Sequence, residues 1–282
     1  MSTAIGLYGV SFAYDLDEEG GEFALKDVTL EIEQGSFVAV VGHNGSGKST
    51  FARLLNGLLV PVAGRVKVFG FDTCDEDSIY EIRRRVGMVF QNPDNQMVAS
   101  VVEDDIAFGP ENLGVEREEI IRRVDSALAS VGMSEYRKST PFRMSGGQKQ
   151  RIAIAGALAL CPEVLVLDES TAMLDPKGRA EVMSVVRRLN KERGITVIHI
   201  THYMEETLDC DRVIVMDGGR VAVDGTPSQV FGRGEELKKY KISPPYVTWL
   251  ACALADAGLD IDRTVYTRED MEESLCRLLS KD

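Results

Sequence analysis

The chain has 282 residues, 44% of them hydrophobic, so it can bury a large core as one domain or as one domain with an appendage. Its 45 acidic and 32 basic residues give a formal net charge of −13, which is unfavourable for unaided binding to nucleic acid or anionic lipid. No run of about 18 uncharged apolar residues and no signal-peptide pattern is present, so neither membrane insertion nor secretion is predicted.

Short runs typical of strands alternate with helical patterns, which indicates an α/β fold with a largely parallel sheet. Leu7–Tyr14 and Ala24–Ile32 alternate apolar and polar positions like half-buried strands, and the acidic segment Asp15–Gly21 is predicted to form the turn between them. Four continuous runs rich in β-branched residues are predicted as buried parallel strands: Phe37–Val41, Val86–Phe90, Val164–Leu167 and Thr196–Ile200.

Two segments depart from this alternation. Val101–Leu160 carries helical patterns without a comparable apolar strand, so a helical subdomain, about residues 92–160, is predicted within a main domain of residues 1–232. After Gly225 the alternation stops, and residues 233–282 are predicted to be a small helical extension. Its two amphipathic helices are each indicated by four apolar positions: Val247, Leu250, Ala251 and Leu254, then Met271, Leu275, Leu278 and Leu279.

The five cysteines are widely scattered, with neither a CxxC pair nor the spacing of metal ligands. We interpret them as unpaired core thiols of a protein in a reducing compartment. They are Cys74, Cys161, Cys210, Cys252 and Cys276.

A glycine-rich segment, GHNGSGKST at residues 42–50, follows the strand Phe37–Val41 and precedes a helical pattern. It matches the phosphate-binding pattern GxxxxGK[ST] in the required strand–loop–helix context. Its glycines let backbone N–H groups surround phosphate oxygens, and the helix start adds the positive end of its dipole. Lys48 is expected to bridge the β- and γ-phosphates of ATP, and Ser49 to ligate Mg²⁺. The predicted nucleotide contacts are Gly42, Asn44, Gly45, Ser46, Gly47, Lys48, Ser49 and Thr50.

The strand Val164–Leu167 is followed by two adjacent carboxylates, Asp168 and Glu169. Adjacent acids at a strand end are often merely solvated, but beside a phosphate-binding loop we expect them to be functional. Asp168 suits Mg²⁺ coordination through water, and Glu169 can polarise the attacking water.

The segment MSGGQKQR at residues 144–151 resembles the LSGGQ signature of ATP-binding cassette (ABC) ATPases, with Met144 in place of leucine. In that family the signature contacts the γ-phosphate held by the opposite subunit. The resemblance therefore implies a dimer with composite sites and the fold of an ABC-type P-loop cassette, which includes an antiparallel β subdomain. The implied nucleotide contacts are Ser145, Gly146, Gly147 and Gln148.

Further landmarks of the ABC family occur in order along the chain. Gln91 resembles the Q-loop glutamine that senses Mg²⁺ and the attacking water, and Asp175 ends a segment, AMLD, that resembles the D-loop crossing the dimer. His202 corresponds to the switch histidine that contacts the γ-phosphate, and Tyr14 to the aromatic residue that stacks on adenine. His43 and His199 are interpreted as structural.

Longer segments resemble the ATPases of energy-coupling-factor (ECF) transporters, the vitamin- and metal-uptake systems related to cobalt and biotin importers. The segment DESTAMLDPKGR at residues 168–179 resembles the first of the two ATPase types, in which Ser or Ala follows the glutamate. The resemblance covers nearly the whole chain. It implies a second ATPase, a different chain in preference to a second copy of this one, together with a transmembrane coupling subunit and a substrate-binding membrane protein. It also implies that this chain is peripheral on the cytoplasmic face of the cell membrane. The other resembling segments are residues 42–50, 54–58, 87–96, 102–109 and 145–159.

Three alternatives remain open at this point. The motor of a conventional ABC importer or exporter would share every chemical residue and differ only in its partners. A soluble ABC protein of DNA repair or translation is disfavoured by the single cassette, the absence of a heptad array and the charge of −13. A regulatory subunit without turnover is disfavoured because Lys48, Asp168, Glu169 and His202 are all present.

Charge placement suggests where a partner docks. Residues 86–116 contain six acids and no Lys or Arg, and in ECF-type transporters this region receives coupling helices that carry arginines. We hypothesise that Asp104 and Asp105 help to seat such a helix, while Ser100 and Glu103 fit a capping box at a helix start. The extension is a candidate contact with the second ATPase, and an intramolecular strap is the alternative. The acids are Asp94, Glu103, Asp104, Asp105, Glu111 and Glu116.

Overall fold

The computed structural model describes residues 2–14 and 22–280, so the predicted turn Asp15–Gly21 lies outside the described residues. The strands are β1 Thr3–Ala13, β2 Phe23–Glu33, β3 Phe37–Val41, β4 Ala63–Val68, β5 Phe71–Asp72, β6 Val86–Val89, β7 Val164–Asp168, β8 Thr196–Ile200, β9 Arg212–Asp217 and β10 Arg220–Gly225. The α-helices are α1 Lys48–Leu55, α2 Ile79–Arg85, α3 Val102–Asn112, α4 Arg117–Ser130, α5 Gly146–Ala159, α6 Pro176–Arg193, α7 Pro227–Phe231, α8 Tyr246–Asp256 and α9 Arg268–Leu279. Short 3-10 helices occur at Glu76–Ser78, Pro93–Asn95, Ser134–Tyr136, Pro141–Arg143, Met204–Thr207 and Gly234–Tyr240.

The central sheet has the strand order β10-β9-β3-β8-β7-β6. Strands β9, β3, β8, β7 and β6 run parallel to their neighbours, and β10 runs antiparallel on β9 at the edge. Because the carboxyl ends of parallel strands meet at one edge, the residues that follow β3, β7 and β8 are brought together. That edge holds the glycine-rich loop, Asp168 with Glu169, and the segment that begins at Thr201.

A second, antiparallel sheet has the order β2-β1-β4-β5. Helix α1 joins the two sheets, since its buried Phe51, Leu54 and Leu55 belong to a core cluster with Leu7 of β1 and Val40 of β3. The loop that precedes α1 is therefore fixed from both sides. The mostly parallel core sheet, the antiparallel β subdomain and the inserted helices confirm the predicted fold class.

Helix α3 does not begin with the predicted capping box. Its N-cap residue is Val101, and no side chain caps it. The Glu103 carboxylate instead accepts hydrogen bonds from Arg137 Nε, at 2.6 Å, and from Lys138 Nζ. A carboxylate paired with two cations from another segment is not free to reach back to its own helix terminus, so the local prediction was wrong.

The C-terminal extension has a small core of its own between α8 and α9. Ala251 and Met271 are buried there, with Leu275 and Leu278 packed against them, whereas Leu279 is 77% exposed. The prediction that Leu279 shares the apolar face was therefore wrong, because it lies at the last residue of α9. In the part of the chain that the structure describes, no helix is both long and apolar enough to cross a bilayer.

All five cysteines are free, but they are not all core thiols. Cys210 alone among them is buried, and burial raises the pKa of its thiol well above the ordinary value. Cys252 is intermediate, and Cys74, Cys161 and Cys276 are exposed, which corrects the sequence interpretation. These three lie in a turn, just after helix α5 and near the end of α9, where a small side chain need not pack.

Candidate nucleotide-binding site

The glycine-rich loop between β3 and α1 depends on its glycines for local shape. Gly45 and Gly47 have φ angles of 81° and 102°, a region that side chains with a Cβ rarely adopt. A Cβ at Gly47 would also lie 2.5 Å from the carbonyl oxygen of Ala24. Gly47 is the N-cap residue of α1, so the loop delivers the chain directly into a helix N-terminus, which favours bound anions.

Lys48 fills the centre of this loop. Its side chain is only 4% exposed, and Nζ donates to the carbonyl oxygens of Gly42 at 2.8 Å and His43 at 3.0 Å. Burial lowers the pKa of Lys48, and the nearby carboxylates of Glu169 and Asp168 oppose that shift. A cation held by neutral carbonyls can exchange these acceptors for phosphate oxygens, which bind it more strongly.

Ser49 and Asp168 meet where the loop faces β7. Ser49 Oγ donates to Asp168 Oδ1 at 3.1 Å, and Asp168 is 6% exposed. Burial raises the pKa of Asp168, and the hydrogen bond from Ser49 opposes that shift. One hydroxyl and one carboxylate fit Mg²⁺, which is commonly held by one or two protein oxygens together with phosphates and water. No cluster of three or more His, Cys, Asp or Glu residues suited to a metal occurs within residues 2–14 and 22–280.

Glu169 and His202 form a close pair beside Lys48. Glu169 Oε1 lies 2.6 Å from His202 Nε2 and 3.9 Å from Lys48 Nζ. The hydrogen bond from His202 lowers the pKa of Glu169 despite its partial burial. Glu169 has a φ of 51°, and its N–H donates to the carbonyl oxygen of Ile200 at 3.0 Å. A proline at position 170 would favour an extended Glu169, so Ser170 is compatible with the conformation found here.

Tyr14 and Gln91 lie at the margins of the site. The Tyr14 hydroxyl is 3.0 Å from Thr50 Oγ1, and its ring is 56% exposed and packs edge-on against Phe12. Tyr14 is thus beside α1 with its ring accessible to a base. Gln91 follows β6, next to Asp168 of β7 in the sheet order, but its exposed side chain makes no hydrogen bond within the described residues.

The signature residues form a separate surface. Ser145 is the N-cap of α5, where its Oγ accepts from Gln148 N–H at 3.4 Å and Gln148 Oε1 accepts from Ser145 N–H at 3.0 Å. This reciprocal capping box was missed, although the S-x-x-Q pattern signals it. Gly146, Gly147 and Asp175 join Ser145 around a cavity of about 330 Å³, which no described residue of loop 42–50 lines. Asp175 caps α6 by accepting from Gly178 N–H at 2.8 Å.

The structure therefore brings together one group of the predicted residues and holds another apart. The glycine-rich loop, Asp168, Glu169 and His202 converge at one edge of the central sheet, while the signature and Asp175 open onto their own cavity. His199, predicted to be structural, contacts the buried Glu206, a residue that no motif in the sequence marks. The pattern His-x6-Glu after a strand does not by itself indicate a contact, because it also occurs where the two side chains point apart.

Fold and site together define a P-loop ATPase cassette. The family model described as ABC transporter matches residues 25–172. The energy-coupling factor transporter ATP-binding protein EcfA1 of Caldanaerobacter subterraneus is 54% identical over 98% of this chain and 100% of its own length. EcfA1 of Symbiobacterium thermophilum is 54% identical over 97% of this chain and 96% of its own length.

Two solved structures are also similar. One is cbiO1 from Clostridium perfringens, described as part of the ABC transporter complex cbiONQ, with a TM-score of 0.75, 38% identity, and coverage of 85% of this chain and 94% of that one. The other is a dimeric ATP-binding cassette in a post-hydrolysis state with ADP and phosphate, with a TM-score of 0.71, 31% identity, and coverage of 79% of this chain and 98% of that one. The chain belongs to the ABC transporter ATPases, within the family of energy-coupling factor transporter ATP-binding proteins.

Proposed function

We propose that this ATPase energises uptake of a vitamin or a transition-metal ion by an ECF-type transporter, through ATP-driven closure of an ATPase dimer that moves membrane subunits. One observation carries the proposal: the glycine-rich loop and the signature each lead into a helix N-terminus, which favours anions, yet no residue of loop 42–50 lines the cavity at the signature. A single chain therefore supplies the glycine-rich loop of one ATP site and the signature of another, and a second ATPase supplies the missing part of each site. The names of the close relatives support the ECF assignment.

Within each composite site, catalysis consists mainly of positioning and charge neutralisation. Lys48 binds the β- and γ-phosphates. Ser49 and Asp168 would hold Mg²⁺, which would supply positive charge to offset that of the phosphates. Glu169, whose pKa is lowered, is ionised near neutral pH and accepts a hydrogen bond from the attacking water. His202 orients the Glu169 carboxylate across their 2.6 Å contact and contacts the γ-phosphate.

The remaining predicted contacts complete the proposed nucleotide site. The exposed ring of Tyr14 stacks on adenine. Gln91, exposed just after β6, would be a further ligand for Mg²⁺. Ser145 and the amides of Gly146 and Gly147 bind the γ-phosphate held by the partner ATPase. Asp175 lies at the same cavity and contacts the partner there.

A groove between α3 and α5 is the proposed docking site of the coupling subunit. It encloses about 250 Å³, and Val98 and Phe108 line it with exposed fractions of 60% and 49%. Two of the nearby acids already have partners within the chain, because Asp94 pairs with Lys149 and Glu103 pairs with Arg137. We therefore assign the groove the apolar contacts and the acids a steering role, at about 0–1 kcal/mol for each exposed pair.

The two acids of the docking hypothesis have different surroundings. Asp105 Oδ1 accepts from the N–H groups of Val98 and Ala99, at 2.7 and 3.0 Å, so it shapes the groove wall. Asp104 is exposed and carries the steering role that the hypothesis gave to both. The proposed assembly places the chain as a peripheral subunit on the cytoplasmic face of the membrane, paired with a different second ATPase.

The test is to isolate the chain from its native membrane, identify the proteins bound to it, and reconstitute that complex in liposomes. We expect a second ATPase, a coupling subunit and a substrate-binding membrane protein, and ATP-dependent uptake that Lys48→Ala abolishes. Co-purification of two large transmembrane subunits and a soluble binding protein would favour a conventional importer instead. Recovery without any membrane protein would contradict the proposal altogether.

A further inference from the structure

A buried carboxylate is hydrogen-bonded to the two chain segments that carry Glu169 and His202. Glu206, in the short helix Met204–Thr207, is 7% exposed. Its Oε2 lies 2.8 Å from His199 Nε2, 2.6 Å from Thr201 Oγ1 and 3.0 Å from Thr171 Oγ1. All three partners are themselves buried. One oxygen atom thus collects three hydrogen bonds from three places in the chain.

Two of these partners belong to the segments that carry the proposed reacting groups. Thr171 follows Glu169 by two residues, in the turn that the Ala172 N–H closes on the Glu169 carbonyl oxygen at 3.0 Å. Thr201 immediately precedes His202, and its Oγ1 also accepts from Tyr203 N–H at 3.0 Å. The Glu206 carboxylate therefore bridges the segment of Glu169 to the segment of His202.

The third partner anchors this bridge to the sheet. His199 is fully buried in β8, and its ring packs edge-on against Phe37 of β3. Burial alone would raise the pKa of Glu206, but the hydrogen bonds from His199, Thr201 and Thr171 outweigh it and lower the pKa. Hydrogen bonds to an ionised acceptor are stronger than neutral ones, so the bridge is rigid.

We propose that Glu206 is a positioning residue for ATP hydrolysis: through Thr171 and Thr201 it fixes the separation of Glu169 and His202, and so the 2.6 Å contact that aims the carboxylate at water. The inference rests on the proposed roles of Glu169 and His202. The proposed role does not require Glu206 to contact the nucleotide directly. Misplacing a catalytic group by about 1 Å can lower a rate about a hundredfold without loss of substrate binding.

The experiment uses the assembled transporter and measures kcat, the KM for ATP and the Tm. Glu206→Ala is expected to lower kcat about 10- to 100-fold while KM changes less than about threefold. Glu206→Gln keeps one acceptor oxygen and is expected to recover part of the rate. Glu192→Gln is the matched control, because it makes the same substitution at an exposed residue in the last turn of α6, and it should leave kcat unchanged.

A mutant cycle separates positioning from general stability. In a His202→Ala background, adding Glu206→Ala should lower kcat by less than about threefold further. The reason is that the contact between Glu169 and His202, which Glu206 maintains, is already lost. The inference would be overturned if the reductions in kcat caused by His202→Ala and Glu206→Ala multiply in the double variant. A wild-type kcat for Glu206→Ala would overturn it as well. If Glu206→Ala does not fold, Thr171→Val takes its place in the same mutant cycle. This substitution removes one hydroxyl and buries no new charge, and the same outcomes decide for or against the inference. Failure of uptake by the wild-type complex would instead overturn the proposed function.

Discussion

At the scale of single residues, Lys48 holds the positive charge of the proposed ATP site. Its ammonium is 4% exposed, and the carbonyl oxygens of Gly42 and His43 bind it in place. A hydrogen bond to a charged group contributes about 1.5–3 kcal/mol, so we expect Lys48→Ala to weaken ATP binding about 10- to 100-fold. Titration of the purified chain with a fluorescent ATP analogue measures this change.

The control for Lys48→Ala is Lys191→Ala, which removes an exposed lysine of helix α6 far along the chain from the loop. That variant should bind ATP like the wild type. Equal affinities for Lys48→Ala and the wild type would remove Lys48 from the binding site and leave the loop without its proposed cation.

At the scale of elements, the start of helix α5 has two roles that substitutions can separate. Ser145 caps the helix, and the loss of an N-cap costs about 1 kcal/mol, so Ser145→Ala should lower the Tm. Ser145→Asp keeps a good cap but places a negative charge where a partner-bound γ-phosphate is proposed. We expect Ser145→Asp to keep the wild-type Tm and to lose ATP hydrolysis in the assembled complex.

Helix α7 offers the matched control, because Thr226 and Gln229 form the same capping box at its start. Thr226→Ala should lower the Tm about as much as Ser145→Ala and leave hydrolysis intact. The measurements are thermal melts and ATP turnover of the wild type, Ser145→Ala, Ser145→Asp and Thr226→Ala. Wild-type turnover by Ser145→Asp would show that the signature surface faces no phosphate.

Helix α3 tests the docking proposal. Asp104 is exposed near the apolar groove, so Asp104→Lys should weaken association with the coupling subunit several-fold at low salt and less at high salt. Surface-binding measurements at several ionic strengths report this. Glu111→Lys makes the same charge change at the other end of α3 and serves as the control. Association of Asp104→Lys at the wild-type level at every ionic strength would leave docking to apolar contacts alone.

Elements formed by contacts between residues close together in the chain could be predicted from the sequence, whereas those formed by contacts between distant residues could not. The glycine-rich loop and the strands β3, β7 and β8 follow from local pattern, and Asp168 proved to be the last residue of β7. The capping box at Ser100 failed because Glu103 pairs with Arg137, a partner 34 residues away. Strands β4, β5, β9 and β10 were not predicted individually. The contact of Glu206 with Thr171, 35 residues away, depends on tertiary packing.

At the scale of the whole molecule, the extension is divided between two cores. Leu237 and Ile242 are buried in the cassette core, whereas α8 and α9 pack on each other. Removal of everything after Gly232 would therefore damage the cassette. A stop after Pro245 keeps Leu237 and Ile242 and removes the separate core, the packing of Tyr266 against the cassette core and the contact of Tyr246 with Glu205. We expect that shorter protein to bind ATP normally and to pair more weakly with the second ATPase in analytical ultracentrifugation. Unchanged pairing would make α8 and α9 an intramolecular strap.

The central claim is that Glu169 activates water at an ATP site shared by two subunits. The most direct test is the ATP hydrolysis rate of the assembled transporter carrying Glu169→Gln, at saturating Mg²⁺ and ATP. Because glutamine keeps the size of the side chain but is a much weaker base, the rate should fall about a hundredfold or more while ATP stays bound. A rate near that of the wild type would contradict the account, since no other described carboxylate lies within 4 Å of both Lys48 and His202.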